Sequence, residues 1–258
     1  MAARSQRPKL IAIVGPTASG KSKLALKIAR KFNGEIIAAD SRTVYKGMDI
    51  GTAKPTIKEQ AEAPHHLLDL IEPNQKFSAG QFKKLAEKAI SDIQNRGHLP
   101  ILVGGTGLYL NAVLFDYQFK QGGKPDPKNP RHQLRQGQPP AHKLIPNALV
   151  VGLAIEPKKL EASITRRAEA MAKQGFMDEV KNLAAAYPAQ LEVFKSPGYR
   201  PFFDLLLNRI DLQTAKQQFI QSHLRLVKKQ RTWFKRNPYI IWFEDGQKAY
   251  NFIVQQLS

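Results

Sequence analysis

The sequence predicts an α/β fold, a parallel sheet flanked by helices of the phosphate-loop NTPase-like kind. Three observations predict it. Short, near-continuous apolar runs at residues 10–14, 35–39, 100–103 and 148–155 read as strands buried on both faces. Helical patterns separate them, and strands alternating with helices give parallel pairing. The first junction, Gly15-Pro16-Thr17-Ala18-Ser19-Gly20-Lys21-Ser22, is a complete G-x-x-x-x-G-K-[ST] loop between a strand and a helix. That context makes a chance match at a surface turn the poorer reading.

Each element follows in order. Leu24, Ala25, Ile28, Ala29 and Phe32 share one face of a helix over residues 21–32. Residues 78–96 form a second helix, with Ser78 as its cap and Gly97 as its stop. The run Leu102-Val103-Gly104-Gly105-Thr106-Gly107 is another strand-to-turn junction, and Leu108-Tyr109-Leu110 starts the helix behind it. Gly122, Gly123, Gly137 and six prolines between residues 121 and 146 leave no room for regular elements there. Lys124, Lys128, Arg131, Arg135 and Lys143 face the single acid Asp126 in that stretch. Residues 158–186, about 200–208 and 212–236 read as helices, 239–243 as a last strand, with a short helix at the end. The organisation is thus a first core part (1–120), a basic Pro/Gly-rich shortened insertion (121–146), and a second part (147–258) with basic helices.

Composition narrows the partners. Forty Lys and Arg against 21 Asp and Glu give +19 over 258 residues. A field of that sign draws polyanions, nucleic acid first and anionic membrane second, although charge for solubility alone is the plain alternative. No run of eighteen apolar residues is present, which predicts no membrane span, and the basic start lacks a signal-peptide pattern. The absence of cysteine excludes disulfides and fits a reducing cytoplasm.

Within the loop, the glycines let backbone N–H groups approach a phosphate chain, Lys21 supplies a point charge, and the Ser22 hydroxyl can hold Mg²⁺. Asp40 ends the second strand, and strand carboxyl ends border the ligand crevice of such sheets. Apolar surroundings would raise its pKa and suit it to take a proton from a nucleophile; helix capping is its bland alternative. No carboxylate follows Ile101-Leu102-Val103, where a water-activating NTPase would carry one for its magnesium shell. Thr106 and the glycine amides beside it are ligand contacts on this reading, or a tight turn on the plainer one. His65-His66 lack a ligand-spaced partner and read as structural histidines. Residues 212–243 carry Lys216, Arg225, Lys228, Lys229, Arg231, Lys235 and Arg236 without one acid, as expected of a helix lying on phosphate. Trp233 and Phe234 read as core anchors rather than base-stacking platforms.

These motifs in series resemble the tRNA dimethylallyltransferase (tRNA isopentenyltransferase) family. The resemblance is carried by 15–22, by Ala39-Asp40-Ser41-Arg42-Thr43-Val44-Tyr45-Lys46-Gly47-Met48-Asp49-Ile50-Gly51-Thr52-Ala53-Lys54-Pro55, and by Pro64-His65-His66-Leu67-Leu68-Asp69. It continues through 102–110, Gly198-Tyr199 and Lys228-Lys229-Gln230-Arg231-Thr232-Trp233-Phe234. It implies transfer of a dimethylallyl group from dimethylallyl diphosphate to N6 of adenosine 37 of tRNA, with release of pyrophosphate. It places Gly15, Pro16, Thr17, Ala18, Ser19, Gly20, Lys21 and Ser22 on the diphosphate, with Arg225 or Lys229 as an added anion clamp. Asp40 becomes the base, Thr106 a contact at the reacting centre, and Mg²⁺ the cofactor, held at Ser22. The tRNA contacts implied are Asp40, Ser41, Arg42, Thr43 and Thr106, with Lys128 and Arg131 of the insertion. Arg42-Thr43 replace the family's base-reading Gln, Leu224 aligns with its late-helix Arg, and residues 121–146 stand where it inserts a helical lobe. A monomer in the cytoplasm is expected. An adenylate isopentenyltransferase, with a free adenine nucleotide as acceptor, and a small-molecule kinase with an ATP-binding loop are the alternatives. A non-catalytic RNA-binding relic is disfavoured by the intact Lys21, Ser22 and Asp40.

Overall fold

The computed structural model describes residues 8–119, 143–188 and 190–258. Six strands form one sheet in the order β3-β2-β4-β1-β5-β6, and every neighbouring pair is parallel. They are β1 (Leu10–Val14), β2 (Gly34–Ala39), β3 (His65–His66), β4 (Leu99–Gly104), β5 (Ala148–Leu153) and β6 (Ile241–Phe243). The expected α/β sheet is thus present, with β3 added at its edge.

Alternation along the central strands builds two cores. Ile11, Ile13, Ile36, Ile101, Val103 and Val151 point to one face, where α1 (Lys21–Phe32) and α9 (Gly246–Leu257) cover them. Leu10, Ala12, Val14, Ile37, Leu102 and Val150 point to the other, under α3 (Ala79–Asn95) and α4 (Gly107–Leu114). Ser78 caps α3 in a reciprocal box with Gln81, and Gly97 follows its end with a φ of 73°.

A third core is mostly helical, with Met48 of the loop after β2 buried in it. It joins α5 (Pro157–Lys173), α6 (Phe176–Ala186), α7 (Arg200–Leu206) and α8 (Leu212–Phe234) around Phe176, Phe194, Tyr199, Phe202 and Phe219. The single helix expected over 158–186 is corrected here: it breaks at Gly175, whose φ of 85° no continuing helix accepts. A short helix α2 (Ile57–Glu62), boxed by Thr56 and Glu59, was not anticipated.

The histidine pair is structural. His66 Nε2 meets Glu35 Oε2 at 2.6 Å, His98 Nδ1 meets Glu35 Oε1 at 2.6 Å, and Arg96 grips both carboxylate oxygens. Burial alone pushes the Glu35 carboxyl up, but bonds from Arg96, His66 and His98 carry it down to about 2. Because Glu35 is the second residue of β2, this cluster lies at the end of the sheet opposite the phosphate loop. Among the described residues no group of His, Asp and Glu could hold a metal ion, and no helix is long and apolar enough to cross a membrane.

Candidate active site

Strand register gathers the site. Val14 and Ala39 both pair opposite Gly104, so the loops that leave β1, β2 and β4 start at one level. Gly104 is obligatory there, because a Cβ would lie 2.0 Å from the Ala39 carbonyl oxygen. The phosphate loop, Asp40 and Thr106 are therefore neighbours at the carboxyl end of the sheet, as the sequence placed them.

The phosphate loop turns on three residues of positive φ, Gly15 (145°), Ala18 (61°) and Gly20 (87°). A side chain at Gly15 would meet the Leu153 carbonyl oxygen at 2.8 Å. Ser19 and Lys21 are buried, and Ser22 is exposed at the first turn of α1. The Lys21 ammonium donates to the Pro16 carbonyl oxygen and, at 3.5 Å, to Ser19 Oγ. Burial and the charge of Arg167 push Lys21 down to about 7, against the opposing pull of Asp40. That cation is costly where it stands and is stabilised by any anion placed in the loop.

Asp40 is half-buried and faces charged groups instead of the apolar surroundings expected, so its part as a base rests on its place beside the loop. Its Oδ1 accepts the Arg42 N–H at 2.8 Å, and the charges of Lys21 and Arg167 act on it. Ser41 N–H donates to Thr106 Oγ1 at 3.0 Å, and Thr106 N–H donates to the Ala39 carbonyl oxygen at 3.3 Å. Thr106 thus stitches the end of β2 to the turn after β4, with Asp40 held beside it. Tyr109, stacked on Phe82 at 4.3 Å, completes this wall; its hydroxyl is pushed up by burial and by Tyr45 and Asp40.

Two groups of the site escaped the sequence reading. Arg167 of α5 donates to Thr17 Oγ1 at 3.0 Å. Burial holds its guanidinium below the usual arginine value, and the charge of Asp40 offsets this. Gln230 of α8 accepts the Thr17 N–H at 2.9 Å and donates to the Gly105 carbonyl oxygen at 3.0 Å. Both have a signal in the sequence. Arg167 falls on the apolar stripe Leu160, Ile164, Ala168 and Met171, and Gln230 on the stripe Phe219, His223, Val227 and Phe234.

The other expected residues are dispersed. Arg225 and Lys229 are exposed on α8, and no described hydrogen bond or ion pair joins them to the loop. Thr43 is buried and its hydroxyl approaches the Asp40 carbonyl oxygen at 3.5 Å, while Ser41 and Arg42 are half-buried. Lys128 and Arg131 lie outside the described residues. Trp233 is a packing residue as expected: its indole lies against Gly107, where a Cβ would approach it to 2.1 Å.

The model of the IPP transferase family matches residues 43–145 and 127–237. The chain belongs to the IPP transferase family. A protein named tRNA dimethylallyltransferase from Anoxybacillus flavithermus is 35% identical over 280 residues, covering 92% of this chain and 90% of that protein. One named tRNA dimethylallyltransferase 1, from Pelobacter propionicus, is 36% identical over 93% of this chain and 94% of its own. The full-length tRNA isopentenylpyrophosphate transferase of Bacillus halodurans superposes with a TM-score of 0.81 at 31% identity, covering 97% of each chain. A eukaryotic dimethylallyltransferase, in a structure described as acting on tRNA, shares the fold with a TM-score of 0.79 at 23% identity.

Within this family the chain is abbreviated. An alignment of 280 residues exceeds the 258 of the chain itself, so the Anoxybacillus relative carries residues that this one lacks. The family match also breaks into two parts that meet at residues 127–145, inside the Pro/Gly-rich segment.

Proposed function

We propose that this IPP transferase family member moves a dimethylallyl group from dimethylallyl diphosphate to N6 of adenosine 37 in tRNA and releases pyrophosphate. The relatives' names and folds support a prenyl transfer to tRNA. The observation that carries the reading is the register that sets a buried lysine loop, Asp40 and Thr106 at one level of the sheet.

The chemistry follows from these groups. The diphosphate lies on the loop amides, where the Lys21 ammonium leaves the neutral Pro16 carbonyl for a phosphate oxygen. Arg167 leaves Thr17 Oγ1 in the same way and takes the remaining charge. The N6 lone pair attacks C1 of the allyl group, and the C1–O bond breaks with its electron pair going to the pyrophosphate. Lys21 and Arg167 bear that developing charge, which is the larger part of the acceleration. The N6 proton passes to the Asp40 carboxylate. Thr106 holds Ser41, and through it Asp40, in line with the acceptor. No water has to be activated, in accord with the missing carboxylate after Val103.

Magnesium fits this donor set. The chain offers the exposed Ser22 hydroxyl at the loop mouth, and a hard cation of that size would take the rest of its shell from diphosphate oxygens and water. When bound it neutralises the leaving group.

Incubation with labelled dimethylallyl diphosphate and either total tRNA or AMP tests the proposal. Label on tRNA is expected. Label on AMP alone shifts the acceptor to a free nucleotide, a reading the shortened insertion favours. Label on neither, with steady ATP turnover, refutes prenyl transfer.

A further inference from the structure

The donor and acceptor halves of the site are carried by different loops, and one side chain bridges them. Gln230 reaches from α8, accepts the Thr17 N–H at 2.9 Å and donates to the Gly105 carbonyl oxygen at 3.0 Å. Only one orientation of its amide satisfies both bonds, since the N–H of Thr17 needs an acceptor and the carbonyl of Gly105 a donor. The two loops also crowd each other. A Cβ at Gly105 would stand 2.4 Å from Gln230 Nε2 and 3.5 Å from the Gly15 carbonyl oxygen.

The bridge continues on the acceptor side. Gly105 precedes Thr106, whose Oγ1 takes the Ser41 N–H at 3.0 Å, and Ser41 follows Asp40. Thr17, on the donor side, takes the Arg167 guanidinium at 3.0 Å. One amide therefore lies between the groups that hold a leaving anion and the group that takes a proton. It is itself anchored: Arg231, the next residue of α8, donates to the Ile155 carbonyl oxygen at 2.8 Å, and Trp233 packs on Gly107.

We propose that Gln230 is a positioning residue that fixes the separation of the diphosphate grip from the Asp40–Thr106 acceptor wall. The inference rests on the prenyl-transfer reading. Displacing two reactants by about 1 Å costs on the order of 10²-fold in rate, while binding of either one alone survives. Gln230 thus belongs to kcat rather than to affinity.

The test is Gln230→Met, close in volume but without the amide, assayed in single turnover with tRNA and labelled dimethylallyl diphosphate. Inorganic pyrophosphate and tRNA binding are measured separately by calorimetry and filter retention. The expected result is a loss of roughly 10–100-fold in rate at saturation, with both affinities within about 3-fold of the parent. A second variant, Gln230→Glu, keeps an acceptor for Thr17 but sets a carboxylate beside the loop. It is expected to weaken pyrophosphate binding about tenfold and to lower the saturating rate as well. A saturating rate unchanged in Gln230→Met overturns the inference. So does a rate that falls only in step with pyrophosphate affinity, because Gln230 would then serve donor binding. Should Gln230→Met not fold, a Gln230→Glu protein with weakened pyrophosphate binding but a parental saturating rate overturns it equally. A parent that transfers nothing to tRNA while binding pyrophosphate fails the prenyl reading itself, a result distinct from any of these.

Discussion

Lys21 makes the affinity of the loop for diphosphate a function of pH. Burial and Arg167 hold its ammonium near pKa 7 in the folded protein, against an ordinary value of 10.5, and Asp40 restores only part of the difference. A phosphate chain in the loop adds two or more negative charges at contact and returns the amine to its charged form. The free protein must then take up a proton to bind wherever Lys21 is neutral. An amine of pKa about 7 is roughly nine-tenths charged at pH 6 and about one-hundredth charged at pH 9, so affinity should fall by about 100-fold across that range. The sign for folding is opposite. The unfolded chain binds the extra proton between about 7 and 10.5, so the contribution of Lys21 to stability improves as pH rises through that window. The assay is calorimetric titration of inorganic pyrophosphate at several pH values in buffers of differing ionisation enthalpy, with Lys21→Met as the control for titration of pyrophosphate itself. Proton uptake approaching one per site near pH 8 is expected in the parent and absent in the variant. Equal pH profiles in the two proteins would refute the reasoning.

Three further outcomes follow from the geometry. Asp40→Asn keeps the Arg42 N–H partner but cannot take the N6 proton, so single-turnover transfer should slow by about 10²–10⁴-fold with pyrophosphate affinity little changed; a rate within a few-fold of the parent removes Asp40 from the chemistry. Glu179 of α6 accepts the N–H groups of Asp49 (2.9 Å), Ile50 (2.7 Å) and Gly51 (3.0 Å) and the Tyr199 hydroxyl (2.6 Å). Glu179→Ala should therefore speed hydrogen exchange at those three amides by at least tenfold and lower stability by roughly 2–3 kcal/mol, and unchanged exchange would show that the carboxylate does not hold this turn. Neutralising Arg225, Lys228 and Lys229 together should reduce the slope of log K for tRNA against log salt by about 2–3, at roughly 0.7–0.9 per lost phosphate contact, and superimposable slopes would move the RNA grip off α8.

The sequence made the central sheet legible because its signals are local. The β1–loop–α1 unit is a spacing motif between two periodic runs, and Ser78 marks the start of α3 by its own hydrogen bond to Gln81. Strand register then brings Asp40 and Thr106 to the loop without further information. What stayed hidden depends on distant partners. β3 is two residues long and is defined only by pairing with Ile36 and Ile37. The break at Gly175 interrupts no apolar period, since Phe176, Val180 and Leu183 resume one at once. Arg167 and Gln230 act on Thr17 across 150 and 213 residues of sequence, and no window along the chain contains both ends of either bond. The apolar surroundings assumed for Asp40 failed for the same reason, because the charges that face it arrive from α1 and α5.

The charge of the chain finds its place in this arrangement through α8. Arg225, Lys228, Lys229, Lys235 and Arg236 stand exposed on that helix and the turn after it, and no described acid pairs with any of them. A helix face that only needed solubility would carry both signs, whereas a single sign held without partners retains its full attraction for phosphate. The opposite face of the same helix docks Gln230 and Trp233 on the two loops of the site. If tRNA is the acceptor, as proposed, a backbone drawn to the outer face would lie on the same helix that carries Gln230. On the proposed function one helix serves both ends of the reaction, its outer face for the polyanion and its inner face for the two loops that Gln230 joins.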